Sequence, residues 1–329
     1  MPNQTISLVI AGGEIVQGLE NGPGAAQQNE NAETIRSWIP AEMADSVKLV
    51  DWSHQPGSHY SLHMTGDLVE LLNQQVTGGA HAVVVFCGSD AAEEMAYLAD
   101  LMWIYPQPLI FAVTRSTPGE PGSDALKVMS EALTAANARE SWGQGVLLCA
   151  NGRLYAASDV TEASNYGRGV YMGNFRESAG CVCGGAVHFW QLPRRSKVFD
   201  RTFTPARNVE LLEASLGSGE RFLQALTEEE HPSLDGLVIA GFGGGNVYPA
   251  WVSYLKTLVR SGVPVVMTSR CRQGCVLDSE DFEGAFAKLS EFGVMSGGFL
   301  TPLQARIKLA VGLGAGLKDD ELQKYLLDQ

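Results

Sequence analysis

Apolar residues fall along this chain in two rhythms. Short unbroken runs at 6–10, 82–86, 109–113, 145–150, 236–240 and 263–268 end in glycine, proline or polar residues and read as buried strands. Between and after them lie longer stretches in which apolar positions recur every three or four residues. Those at 91–103, 123–138, 249–262, 282–293 and 301–313 predict helices. Strand-like runs alternating with helical segments predict an α/β fold, a largely parallel sheet with helices packed on both faces. Asn151-Gly152 supplies a two-residue turn, so a hairpin is expected there.

The pattern breaks in "WQLPRRSKVFDRTFTPARNV", which is charged and punctuated by proline. A larger N-terminal domain is therefore expected over 1–190, a connection over 191–209 and a smaller C-terminal domain over 210–329. Residues 18–33, rich in glycine and side-chain amides, read as a mobile surface loop.

A chain of 329 residues with 45% hydrophobic content has ample core material for this plan. Its formal charge of −14, without a lysine-arginine run, offers no footprint for nucleic acid or an anionic membrane surface, so neither is expected as a partner. The N-terminal "MPNQTISLVIAGG" has neither a basic region nor a long apolar region, and a cytoplasmic protein is expected. Six cysteines are too few and too irregular for a disulfide framework. Cys181 with Cys183 and Cys271 with Cys275 lack the spacing of a zinc knuckle. No metal or other cofactor is expected.

In open α/β sheets ligands bind at the carboxyl ends of strands, and four such junctions here are polar: "GGE", "DWSHQPGSH", "CGSDAAEE" and "GFGGGN". The first delivers Glu14 straight after two glycines. The third places Cys87, Ser89 and Asp90 at a strand end, where a hydroxyl can attack or donate and a carboxylate can hold an ammonium group, although Ser and Asp also commonly cap helices. "GFGGGN" lacks the last glycine of a dinucleotide fingerprint. His54, His59 and His63 are spaced for surface or packing rather than for a metal.

In order, "AGGEI", "DWS", "CGSDAAEEMAYLADL", "SDALKVMSEALTAA", "ANGRLYAASDVTEAS", "GFGGGN", "GVPVVMTSRCRQG" and "LTPLQARI" resemble the bacterial-type asparaginase/glutaminase family over nearly the whole chain. The resemblance implies an asparaginase-like two-domain fold and a homodimer or homotetramer in which sites are completed across subunits. By the same resemblance Ser53 would hold a substrate α-carboxylate and Asp90 its ligand-holding partner, with Gly13, Cys87 and Gly88 lining the site. Asn246 falls where the family reaches across the interface.

The same blocks also depart from the family pattern. Glu14 stands where the family has its nucleophilic threonine, and 18–33 contain no tyrosine where the family has one on its loop. Ser89 stands for a second threonine, and Glu162 for the lysine that activates it. Ordinary asparaginase hydrolysis, which needs an activated hydroxyl and a cation, is therefore expected to be low or absent. Carboxylates Glu14, Asp90 and Glu162 around one pocket would need a counter-charge, or one would take up a proton. Two functions follow. One is an amidohydrolase-like enzyme acting on a small amino-acid-like compound with Glu14, Ser89 and Glu162 as catalytic groups. The other is a catalytically inactive homologue that binds a small ligand or serves a partner.

Overall fold

The computed structural model describes residues 5–18, 28–29, 32–116, 121–166, 171–199, 203–228 and 234–328, without the side chains of Glu14, Gln17, Gly18, 28–29, 32–33 and Glu228. Most of the loop expected over 18–33 lies outside the described residues. The chain divides into two compact units, Met1–Val198 and Phe199–Gln329.

In the first unit the strands are β1 (Ile6–Ala11), β2 (Gln17–Gly18), β3 (Gln28–Asn29), β4 (Val47–Ser53), β5 (Ala82–Cys87), β6 (Leu109–Val113), β7 (Val146–Ala150), β8 (Arg153–Ala156), β9 (Val160–Glu162), β10 (Tyr171–Gly173), β11 (Gly180–Cys183) and β12 (Ala186–Phe189). Its helices are α1 (Ala32–Ser37), α2 (Leu62–Thr77), α3 (Ala92–Met102) and α4 (Ala125–Asn137). Among the described residues eight strands form one sheet in the order β12-β11-β8-β7-β6-β5-β1-β4. From β7 to β4 the neighbours are parallel, and β8, β11 and β12 continue the sheet antiparallel.

Strand side chains alternate between faces, and β1 shows how that alternation builds both layers. Leu8 and Ile10 join Val84, Phe86, Val128 and Met129 in one buried cluster. Val9 and Ala11 point the other way, into a cluster with Val83, Val85, Leu68, Leu72 and Met95. A sheet buried on both faces explains why these strands read as unbroken apolar runs, and each fully buried Leu or Ile contributes about 1.5–3 kcal/mol. The expected hairpin joins β7 to β8, with Ala150 opposite Arg153 and positive φ at both Asn151 and Gly152.

In the second unit β13 (Val209–Glu213), β14 (Gly236–Gly241), β15 (Val265–Ser269) and β16 (Met295–Ser296) form a parallel sheet in sequence order. Around it lie α5 (Glu220–Glu228), α6 (Val252–Arg260), α7 (Phe286–Ser290), α8 (Pro302–Gly314) and α9 (Asp319–Leu327). The helix expected over 282–293 shrinks to α7 because Ala285 is extended and cannot serve as a helical residue. Helix α8 starts where Thr301 and Gln304 close a reciprocal capping box, which satisfies two otherwise unpaired amides. No helix among the described residues is long and apolar enough to cross a membrane.

The stretch expected as a connection is anchored to the first unit before the division. Arg195 Nε donates to Asp100 Oδ1 at 2.8 Å, and its Nη2 donates to the carbonyls of Asp100 and Trp103. The Ser158 hydroxyl donates to the Arg194 carbonyl.

Candidate functional site

At the carboxyl end of β1 the backbone turns through Gly12 and Gly13, with φ of +67° and +83°, a region that disfavours any side chain. Gly13 also lies against the next strand end: a Cβ there would sit 2.7 Å from both N and Cα of Gly88. The Gly88 amide donates to the Gly12 carbonyl at 3.1 Å, and the Gly13 amide to the Gln55 carbonyl at 2.8 Å. Three strand ends, β1, β4 and β5, are thus stitched together by backbone, with Glu14 starting a short 3-10 turn over Glu14–Val16. The Glu14 side chain lies outside the described residues.

On the β4 side, the Ser53 hydroxyl accepts from the Gln55 amide at 3.2 Å. Tyr60 closes the loop by donating to the Ala11 carbonyl at 2.6 Å and stacking on Trp52. Burial pushes the Tyr60 phenol up to about 12, with Ser53 bonding to it in opposition and Cys87 adding to the rise. Gly57 packs on Asp90, where a Cβ would lie 3.0 Å from the Asp90 Cβ. Gly13 therefore touches Gly88 directly and is linked to Ser53 through Gln55, while Asp90 packs against Gly57 in the same β4 loop. Asp90 is exposed, whereas Ser89 is buried, and its hydroxyl has no hydrogen-bond partner among the described residues.

Glu162 reaches this region from β9. Its backbone amide donates to Glu93 Oε2 at 2.5 Å, and Glu93 stands in the first turn of α3, just beyond Ser89 and Asp90. Its carboxylate accepts from Arg115 Nη1 at 3.3 Å, and the same nitrogen donates to the Ser164 carbonyl. Across the β9–β10 ladder Glu162 faces Tyr171. The Tyr171 phenol is raised by burial, then by Glu162, Cys87 and Glu93, with Arg115 acting against them. Those four side chains and the phenol therefore share one electrostatic neighbourhood.

The carboxyl group driven toward its protonated form is Glu93, absent from the sequence-based set. Desolvation raises it most, the Glu162 amide and Thr161 oppose, and Glu94 and Glu162 add repulsion. The cation paired with Glu162 is Arg115. It stands at the end of β6 between Thr114 and Ser116, whose hydroxyls both donate to Asp124 Oδ1, at 2.6 and 2.7 Å. That double anchor fixes the backbone from which the guanidinium extends.

Asn246 belongs to the second unit. Its side-chain amide donates to Glu280 at 2.6 Å, and its side-chain oxygen is buried without a partner among the described residues. His54 pairs with Asp51 at 2.6 Å. None of the six cysteines is in a disulfide, and no group of three His, Cys, Asp or Glu side chains among the described residues is placed to hold a metal ion.

Residues 5–191 match the family model described as "Asparaginase, N-terminal", and residues 208–326 match "Glutaminase/Asparaginase C-terminal domain". The chain belongs to the asparaginase/glutaminase family. It is 30% identical to a "Probable L-asparaginase" of Deinococcus radiodurans, over 82% of this chain and 84% of that one. It is 27% identical to an "L-asparaginase" of Bacillus licheniformis, over 96% and 98%. A glutamyl-tRNA(Gln) amidotransferase chain of Haloquadratum walsbyi is also 27% identical, over 93% of this chain and 70% of that one.

The fold matches the crystal structure of a "Probable Cytoplasmic L-asparaginase" from Campylobacter jejuni with a TM-score of 0.85 at 21% identity, over 99% of each chain. The two-domain asparaginase fold, larger N-terminal and smaller C-terminal, is therefore that of this protein. Sequence reasoning named Gly13, Ser53 and the Cys87–Asp90 junction, and the structure adds Tyr60, Glu93, Arg115 and Tyr171 as neighbours of these residues or of Glu162. The acidic run in "CGSDAAEE" was the one available signal for Glu93. Arg115 and Tyr171 become neighbours of Glu162 only through tertiary packing.

Proposed function

We propose that the first unit carries the centre of a divergent asparaginase-family amidohydrolase acting on a small amino-acid-like amide, with the usual threonine, lysine and tyrosine machinery replaced. The observation that carries this reading is the buried Ser89 hydroxyl, which has no hydrogen-bond partner among the described residues, just past the end of β5. A buried hydroxyl with no partner is costly to the fold, and a ligand oxygen supplies one.

Hydrolysis of an amide needs water delivered to the carbonyl carbon, a donor for the carbonyl oxygen as negative charge builds on it, and a proton for the departing amine. In our reading Glu162, fixed by Arg115, takes a proton from the attacking water, and Ser89 donates to the amide oxygen. As the carbon–nitrogen bond breaks, Glu14 passes a proton to the leaving amine, and the products are a carboxylate and ammonia. Ser53 and Asp90 hold the substrate's carboxylate and ammonium groups, with Gly13, Cys87 and Gly88 forming the wall. Ordinary asparaginase turnover is low in this scheme, because carboxylates stand where the family has its nucleophile and its cation. The working protein is a cytoplasmic homodimer or homotetramer, with Asn246 reaching toward the neighbouring subunit.

A second reading is favoured by one contact. Arg115 already engages Glu162, a closed ion pair that also suits a site which holds a ligand without turning it over. Release of ammonia from a panel of amides by wild type and Glu14→Gln separates the two. Turnover lost in the variant supports the enzyme; tight calorimetric binding of aspartate without product supports the binding protein.

A further inference from the structure

The phenol expected from the family resemblance is missing from 18–33, yet another element brings a phenol, that of Tyr171, across from Glu162. Tyr171 opens β10 opposite Glu162, and its side chain is enclosed by the first-unit core, with 6% of the residue exposed. Its hydroxyl is buried and has no hydrogen-bond partner among the described residues. Nearby Tyr155 makes the contrast plain: its hydroxyl donates to the Tyr171 carbonyl at 2.9 Å, a bond that holds β10 against β8. One phenol of this pair serves the fold, and the other has, among the described residues, no partner for its polar end.

The surroundings of that end are the groups already assembled. Glu162, Cys87, Glu93 and Arg115 all act on the Tyr171 phenol, and Cys87 leads through Gly88 to Ser89, whose hydroxyl is likewise buried and has no partner among the described residues. Two buried hydroxyls thus lack partners among the described residues: that of Ser89, two positions past Cys87 at the β5 end, and that of Tyr171, which shares the buried cluster of Cys87. Buried, and with acidic groups nearby, the phenol keeps its proton and can donate it in a hydrogen bond.

We propose that Tyr171 is a substrate-contacting residue of this site, its hydroxyl donating, together with that of Ser89, to an oxygen of the bound amide. The inference rests on the amidohydrolase reading and extends it. The phenol absent from the loop is supplied by the sheet, where it is fixed in place and incurs no ordering cost at the moment of reaction. Such a donor pair suits a carbonyl that becomes an oxyanion and selects an amide or carboxylate over an amine at that position.

Tyr171→Phe removes the hydroxyl and leaves the ring, so it tests the claim with little disturbance of packing. The full-length variant is compared with wild type by thermal melting, by ammonia release from asparagine, glutamine and short amides, and by calorimetric titration with aspartate. The expected result is an unchanged or higher melting temperature with turnover or affinity reduced at least about tenfold, since one oxyanion donor is commonly worth that or more. Tyr155→Phe, which removes a bonded phenol, is expected to melt lower. Unchanged turnover and affinity in Tyr171→Phe overturn the proposal, and so does a melting temperature that falls as far as in Tyr155→Phe, because the hydroxyl would then be bonded within the fold. If wild type neither binds nor hydrolyses any compound in the panel, the amidohydrolase reading fails separately. The melting comparison still decides whether the Tyr171 hydroxyl is held by the fold or kept for a ligand outside the panel.

Discussion

Gly13 and Gly88 meet backbone to backbone, so close that a single methyl group on Gly13 would lie 2.7 Å from the Gly88 main chain. The contact joins the ends of β1 and β5 and sets where Glu14 and Ser89 leave their strands. Gly13→Ala meets two penalties, a left-handed φ of +83° and the steric overlap. Together they are expected to lower stability by about 2–4 kcal/mol. Urea unfolding measures this directly, and a loss below about 0.5 kcal/mol would show that the two strand ends are not in contact.

Glu93 gives the site a pH signature. Its folded carboxyl is held above the ordinary glutamate value, chiefly by burial, so the folded state binds a proton more tightly than the unfolded chain. The stability it contributes is full below the ordinary value and is lost as pH rises through the raised folded value. Glu93→Gln keeps an oxygen for the Glu162 amide and removes the titration. The variant is expected to gain on wild type between pH 4 and pH 8, read as the difference in urea midpoints at each pH. A difference that stays flat, or runs the other way, rules out a carboxyl with a raised folded value.

Arg195 is expected to be a structural arginine rather than a catalytic one. Asp100 is buried, and burial outweighs the nearby guanidinium in holding its carboxyl above the usual range. Breaking such a pair from one side leaves a buried acid without its partner, so Arg195→Met should cost about 3–5 kcal/mol. Wild-type turnover per folded molecule should remain. A variant that unfolds like wild type would show that the segment after β12 is held by other contacts.

Much of the architecture was readable because the central strands are buried on both faces. The runs at 82–86 and 109–113 differ from β5 and β6 by at most one residue, since nothing in a two-faced strand interrupts the apolar sequence. Edge strands left weaker traces. β4 carries Lys48, Asp51 and Ser53 on partly exposed positions, and β13 begins and ends in the charged company of Glu210 and Glu213, so neither forms an apolar run.

The site divided along the same line. Gly13, Ser53, Gly88, Ser89 and Asp90 stand out because each lies at or just past a strand end and local chemistry marks it. Arg115 lies 47 residues from Glu162, and Tyr171 meets that glutamate only through the β9–β10 pairing, a relation no local pattern encodes. Beside Glu162 the structure adds a cation, Arg115, and a carboxyl raised chiefly by burial, Glu93, and neither stands out in the local sequence.

The most direct measurement is ammonia release from asparagine, glutamine and short amino-acid-like amides by purified wild type and by Ser89→Ala, with melting curves to confirm that both are folded. The account predicts measurable hydrolysis of at least one amide by wild type and a fall of about 10²–10³-fold in the variant, the scale on which loss of one oxyanion donor is felt. Equal rates in the two proteins, or a wild type that releases no ammonia from any amide yet binds aspartate tightly, would contradict it.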